Sequence, residues 1–200
     1  MDRNLEFLNG KEILYLRDSA IKLANLLNTK KINNLIFLCY SQELEKFLFW
    51  CQQLIAESLG KKGKGIIPLI SIGPRDHHSL LQLYLDGPKD NFFYIFSFKG
   101  KSKKKKTKRF FIEALNGANM YSLHESQKKA MISLLKNKNI PFLSIEIKKR
   151  NEETLGELFS YFILETVFIG ENLRINPFNQ PAVEQIKILT KKYLFKKNQK

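Results

Sequence analysis

The stretch from Leu35 to Ile72 reads LIFLCYSQELEKFLFWCQQLIAESLGKKGKGIIPLISI, and its pattern decides the fold. It opens on an unbroken apolar run, Leu35 to Tyr40. A run that short and continuous suits a strand buried on both faces, as in a parallel sheet covered by helices. Ser41 then has the chemistry of a helix N-cap, and Leu44, Phe47, Leu48, Cys51, Leu54 and Ile55 recur at the three- and four-residue spacing of an amphipathic helix. Gly60 ends that helix, a Lys/Gly-rich turn follows, and Ile66 to Ile72 form a second apolar run, short enough for a strand. Strand, helix and strand in that order imply a parallel pair joined by a right-handed crossover.

The same alternation continues outward. Residues 1 to 30 read as helical, with Ile21, Leu23, Ala24, Leu26 and Leu27 on a partial helical rhythm. Gly73 to His78 read as a loop leading into Ser79 to Leu85, and Asn91 to Phe98 as an aromatic third strand. Lys99 to Lys108 form a solvated basic loop. Ser122 to Lys136 follow as a helix, Pro141 to Ile147 as a fourth strand, and Thr154 to Ile169 as an aromatic, mostly buried helix. A last helix starts near Asn179, with Pro181 in its first turn, and ends in a Lys-rich tail. The expected fold class is α/β, a mainly parallel sheet flanked by helices in one domain, with ligands beyond the C-terminal ends of the strands.

Composition narrows the function. No apolar run approaches the roughly 20 residues of a membrane span, and the N-terminus lacks a signal-peptide core, so a non-exported, cytoplasmic protein is expected. The net charge of +15 invites a polyanion, but it comes from 28 Lys against 6 Arg in a chain also rich in Asn and Ile. Fork-shaped recognition of phosphates and bases favours Arg, so a general compositional bias explains the charge and nucleic acid is not an expected partner. A polyanion-binding module using Lys101 to Lys108 stays open as an alternative. Cys39 and Cys51 fit neither a disulfide framework nor a metal site and are expected as reduced, buried thiols.

No glycine-rich nucleotide fingerprint, phosphate-binding loop, zinc spacing or nucleophile elbow occurs, so no cofactor or metal is expected and acid–base chemistry is what the residues can supply. Between Gln52 and Pro88 lie a carboxylate, Glu57, ahead of the turn, and the pair His77–His78 after the second strand. Glu57, His78 and Lys187 make a sufficient set to move a proton on carbon, open a ring and steady developing charge. Taken singly, each has a blander reading as a solvated or structural side chain. Glu57 nonetheless sits in the last turn of its helix, where the helix dipole disfavours a carboxylate.

Three blocks in order, AESLGKKGKG, DHHSLLQLYLDGP and INPFNQPAVEQIK, resemble signatures of the bacterial glucose-6-phosphate isomerase family, and YSQELEKFLFWCQQL and TLGELFSYFILETVFIGENL are similar too. The resemblance implies a domain of the sugar-isomerase (SIS) type that interconverts glucose 6-phosphate and fructose 6-phosphate through a cis-enediolate, in glycolysis and gluconeogenesis. It gives Glu57 the role of proton shuttle between C1 and C2. It gives His78 ring opening, with Lys187 beside it, and makes Gln180 a substrate contact on the same helix face as Lys187. The histidine is delivered by the neighbouring subunit in that family, which implies a dimer with shared sites. This chain departs from the family pattern at His77, Asn179 and Ala182, usually Gln, Asp and Gly. Only the family's C-terminal domain has a counterpart here; the Ser/Thr phosphate loop and the Gly-Gly-Arg segment have none. A missing oxyanion contact removes roughly 3 to 4 kcal/mol of transition-state stabilisation. An alternative reading is therefore a truncated or split half, inactive until it pairs with a separate N-terminal half.

Overall fold

The structure is a computed structural model that describes residues 11–100 and 120–197. The element order is α1 (Lys11–Asn28), β1 (Asn34–Cys39), a 3-10 turn (Gln42–Leu44), α2 (Glu45–Leu59), β2 (Ile67–Ile72), α3 (Arg75–Asp86), β3 (Asn91–Phe98), α4 (Met120–Asn137), β4 (Phe142–Ile147), α5 (Glu152–Asn172) and α6 (Pro181–Lys197). The four strands form one parallel sheet in the order β2–β1–β3–β4. Asn34 stands beside both Ile67 and Asn91, and Phe93 beside Phe142.

Alternation along the strands builds two cores from one run of sequence. Leu35, Phe37 and Cys39 of β1 share one core with Phe92, Tyr94 and Phe96 of β3 and with side chains of α1, α2 and α5. Ile36, Leu38, Phe93 and Ile95 point the other way, onto Tyr84 of α3 and Met131 and Leu135 of α4. Because both faces are covered, β1 and β3 read as continuous apolar runs. Phe162 of α5 is the hub of the first core, with ring centroids 6.0 Å from Phe37, 5.5 Å from Tyr94 and 5.9 Å from Phe96. Phe47 and Trp50 of α2 meet Phe159 of α5 at 5.3 and 4.4 Å, which locks these two helices side by side. Cys39 and Cys51 are buried free thiols, and burial pushes the Cys39 pKa up to about 12.

Several boundaries differ from the expectation. Ser41 makes no side-chain cap; it precedes the 3-10 turn, and Leu44 occupies the N-cap position of α2. The segment Gly73 to His78 is not all loop: α3 begins at Arg75, so His77 and His78 belong to its first turn. The helix wins there because the Asp76 carboxylate accepts the Ile72 N–H at 2.7 Å and holds the turn against the end of β2. The helix expected from Thr154 runs from Glu152 because Asn151 caps it, accepting the Thr154 N–H. The last helix starts at Pro181, and each of its residues from 181 to 195 is exposed. Lys101 to Lys108 lie outside the described residues. Among the described residues, no helix is long and apolar enough to cross a membrane.

Among the described residues, one carboxyl is buried without a cation. Glu165 of α5 is 1% exposed and accepts hydrogen bonds from the Ser19 hydroxyl of α1 and the Tyr161 hydroxyl, each at 3.1 Å. Burial pushes its pKa from 4.5 up to about 7, against the lowering effect of the hydroxyl donors. Since the folded value lies above the unfolded one, the unfolded chain releases this proton first, and stability falls as the pH rises from about 4.5 to about 7. Glu165→Gln keeps an acceptor for both hydroxyls without the charge. Urea unfolding at pH 5 and pH 8 should show a loss on the order of 3 kcal/mol in the native chain that largely disappears in the variant. The same pH dependence in both proteins would exclude Glu165 as its source.

Candidate active site

Parallel topology decides where the sequence candidates meet. Helix α2 leaves the C-terminal end of β1 and runs back against the strands, so its last turn, with Glu57, lies at the N-terminal edge of the sheet. Helix α5 runs back in the same sense from β4 and ends beside it. The segment after α5 then brings Gln180 to Glu57: the Gln180 side-chain Nε2 donates to Glu57 Oε2 at 2.6 Å, across 123 residues of sequence. Gln53, one turn before Glu57, donates from Nε2 to Oε1 at 3.0 Å. Both carboxylate oxygens thus accept an amide hydrogen, which fixes the plane of the group and offsets the unfavourable helix end. Glu57 and Gln180 face a cavity of about 530 Å³ whose walls include Lys61, Asn176, Asn179 and Ala182.

His78 lies elsewhere. It is exposed in the first turn of α3, past the C-terminal end of β2. Glu57 precedes the start of that strand, and a six-residue strand spans on the order of 20 Å, so the two side chains sit at opposite edges of the sheet. The expectation of ligands beyond the C-terminal strand ends therefore fits His78 but not the cavity holding Glu57 and Gln180. Lys187 is exposed on α6, roughly 10 Å along the helix from Gln180, and pairs with Glu184 at 2.6 Å. Gln180 precedes α6 rather than lying within it.

His77 is partly buried and engaged. Its Nε2 lies 2.8 Å from the Tyr40 hydroxyl, with the rings edge to face at 5.5 Å, and burial lowers its pKa despite the raising effect of Asp76. A larger cavity, about 690 Å³, opens above the C-terminal ends of β1 and β3, where the strand order reverses. The guanidinium groups on its wall are already occupied, Arg75 by Asp76 and Arg150 by Glu43. Sequence reasoning missed two contributors. Gln53 was detectable by its four-residue spacing from Glu57, whereas the Tyr40–His77 contact depends on the packing of β1 against β2 and leaves no local signal.

No family model matches the chain. A glucose-6-phosphate isomerase of Methanocaldococcus jannaschii is 40% identical over 156 residues, which cover 76% of this chain and 38% of that protein. One from Campylobacter jejuni is 35% identical over 173 residues, covering 82% of this chain and 43% of its own length. A crystal structure of a hypothetical protein from Thermus thermophilus superposes with a TM-score of 0.75 at 26% identity, covering 88% of this chain and 45% of the other. A crystal structure of a glucose-6-phosphate isomerase from Chlamydia trachomatis gives a TM-score of 0.72 at 20% identity, covering 92% and 39%, a likeness of fold. These likenesses define an α/β protein on a parallel sheet of the type found in sugar-phosphate isomerases. The chain belongs to the glucose-6-phosphate isomerase family and spans about two fifths of the length of the curated relatives it matches.

Gly73 offers a direct check of the Tyr40–His77 contact. A Cβ at this position would lie 2.9 Å from the buried Tyr40 ring. Gly73→Ala should lower stability by about 1–3 kcal/mol through overpacking. It should also free the His77 ring, seen as a rise of the His77 pKa toward the ordinary value in an NMR titration; an unmoved titration would refute the coupling.

Proposed function

We propose that the chain is the C-terminal, SIS-type domain of a cofactor-independent isomerase that interconverts glucose 6-phosphate and fructose 6-phosphate. The observation that carries this reading is the Glu57 carboxylate held between the amides of Gln53 and Gln180 at the mouth of a cavity, in a chain related to enzymes of that name. A carboxylate fixed by two donors presents a defined lone pair to a carbon-bound hydrogen. In the open-chain aldose, Glu57 takes the proton from C2 and the electrons form the C1–C2 double bond of a cis-enediolate. The C1 carbonyl electrons move onto O1, the same carboxyl group returns the proton to C1, and the carbonyl forms at C2 as the O2 hydroxyl proton passes to O1. Gln180 contacts the substrate while holding the base in register.

His78 and Lys187 enter the reading as the groups that open the pyranose ring. The position of His78 at the far edge of its own sheet supports service to a site on a second subunit. A homodimer is thereby part of the proposal, as is a cytoplasmic location. Pairing with a separately made N-terminal half is the second reading, favoured by one feature of α6. This helix leaves Ile186, Ile188, Tyr193, Leu194 and Phe195 more than 60% exposed, and an apolar surface of that kind marks a contact face. The relatives carry more than half of their length outside the matched region, enough to cover it.

A coupled assay of fructose 6-phosphate turnover tests both readings, with the chain alone and with the remaining portion of a relative added. Turnover by the chain alone supports an autonomous enzyme, turnover only after addition supports the split reading, and none in either arm overturns the isomerase assignment. In whichever assembly is active, Glu57→Gln should lower kcat by about 10²–10⁴-fold and abolish C1/C2 proton exchange. His78→Ala should slow turnover of the closed-ring sugar and spare the open-chain form; equal loss with both forms would contradict ring opening.

A further inference from the structure

The turn between α2 and β2 does more than connect them. Lys62, Gly63 and Gly65 all adopt the left-handed region, with φ of 53°, 69° and 118°, and the Lys64 N–H closes onto the Lys61 carbonyl at 2.9 Å. At Gly65 a Cβ would come within 2.9 Å of the Gly60 Cα and the Leu59 carbonyl oxygen, so the turn folds tightly against the end of α2. From this compact turn two lysines cross to the segment that follows α5. The Lys61 ammonium donates to the Asn176 carbonyl at 2.7 Å, and the Lys64 ammonium donates to the Leu173 carbonyl at 2.5 Å. Leu173 is the C-cap of α5. Carbonyls at a helix C-terminus lack intrahelical partners and carry the negative end of the dipole, so an ammonium is a well-matched ligand for them.

The segment thus held is the one that delivers Gln180. It lies directly on α5, where Pro177 comes so close that a Cβ at Gly170 would meet it at 3.2 Å. Among the described residues, the polar ties between residues 173–180 and the α2 side are the two lysine bonds and the Gln180–Glu57 contact itself. Gln180 is exposed, and a single water-exposed hydrogen bond does not fix a loop, because water competes for both partners. Leu173 and Ile175 anchor the segment on the core, and the two lysines add the polar grip that ties its backbone to the α2 side.

We propose that Lys61 and Lys64 are positioning residues, a two-point staple from the turn after α2 to the segment after α5 that sets Gln180 against Glu57. The catalytic meaning of the staple rests on the isomerase reading above, while its structural action does not. It adds a device for substrate contact that neither lysine would reveal alone: the ends of two helices, remote in sequence, are brought into one wall of the cavity by charge-assisted bonds to carbonyls.

The test uses the full chain labelled with ¹⁵N, reading the side-chain amide signals of Gln180 and the exchange of backbone amides from 174 to 183. In Lys61→Met/Lys64→Met, the Gln180 amide should move to the position of a free glutamine, and exchange in that segment should quicken about tenfold, with protection in β1 and β3 unchanged. Lys61→Arg/Lys64→Arg should restore the native Gln180 signals. The single Met variants give the same readout should the double variant not fold. Gln180 signals identical to those of the native chain in the Met variants overturn the staple. In an active assembly the Met variants should raise KM for fructose 6-phosphate and lower kcat together, since Gln180 both contacts the substrate and holds the base, and the Arg variants should restore both. Loss of kcat with KM unchanged counts against the staple. Absence of turnover by the native assembly counts against the isomerase reading alone, because the Gln180 signals are read without it.

Discussion

The wedge of Phe162 between Phe37, Tyr94 and Phe96 is the contact on which the rest depends. It presses α5 onto the middle of the sheet, and the Phe47–Trp50–Phe159 cluster then fixes α2 beside it. Both helices run against the strands, so both must end at the same edge. Core packing thus brings Glu57 and the segment carrying Gln180 to one edge, where polar contacts can then form between them. Aromatic burial across β1, β3 and α5 is thus the remote cause of a polar contact at the surface.

The same geometry divides the candidate residues. A parallel sheet has two chemically different edges, with helices ending at one and beginning at the other. Glu57, Gln53 and Gln180 gather at the first edge, while His78, His77 and Tyr40 gather at the second. A six-residue strand between them is too long for any side chain to bridge. In the proposed function a site that needs both Glu57 and His78 is completed by another body, and the exposed apolar side chains of α6 are the surface proposed for it.

Several charges among the described residues work at short range. Lys61 and Lys64 find backbone carbonyls, Lys128 is buried among Ser97, Glu125 and Glu146, and Arg150 stacks over Phe98 while pairing with Glu43. Several cations therefore have specific internal partners. Glu165 is the opposite case, a buried acid held by hydroxyls alone, and its environment favours the neutral form.

Much of this was legible in the residues themselves. The apolar runs at Leu35 and Asn91 set the two central strands, because burial on both faces demands unbroken hydrophobicity, and those at Ile66 and Pro141 set the edge strands, which bury only part of their side chains. The stripe from Leu44 to Ile55 set α2, and the positions of Glu57, Gln180, His78 and Lys187 as candidates came from the sequence by family resemblance. The first turn of α3 was not legible, since it depends on Asp76 reaching the backbone of β2. Nor was the pairing of Glu57 with Gln180, the separation of His78, or the reach of Lys61 and Lys64 to α5. Sequence alone determined which elements form and which groups are available, because hydrophobic periodicity and residue chemistry are local properties. Which groups share a cavity was decided only by the tertiary structure, because that depends on strand direction and on which helix ends a common core brings to the same edge.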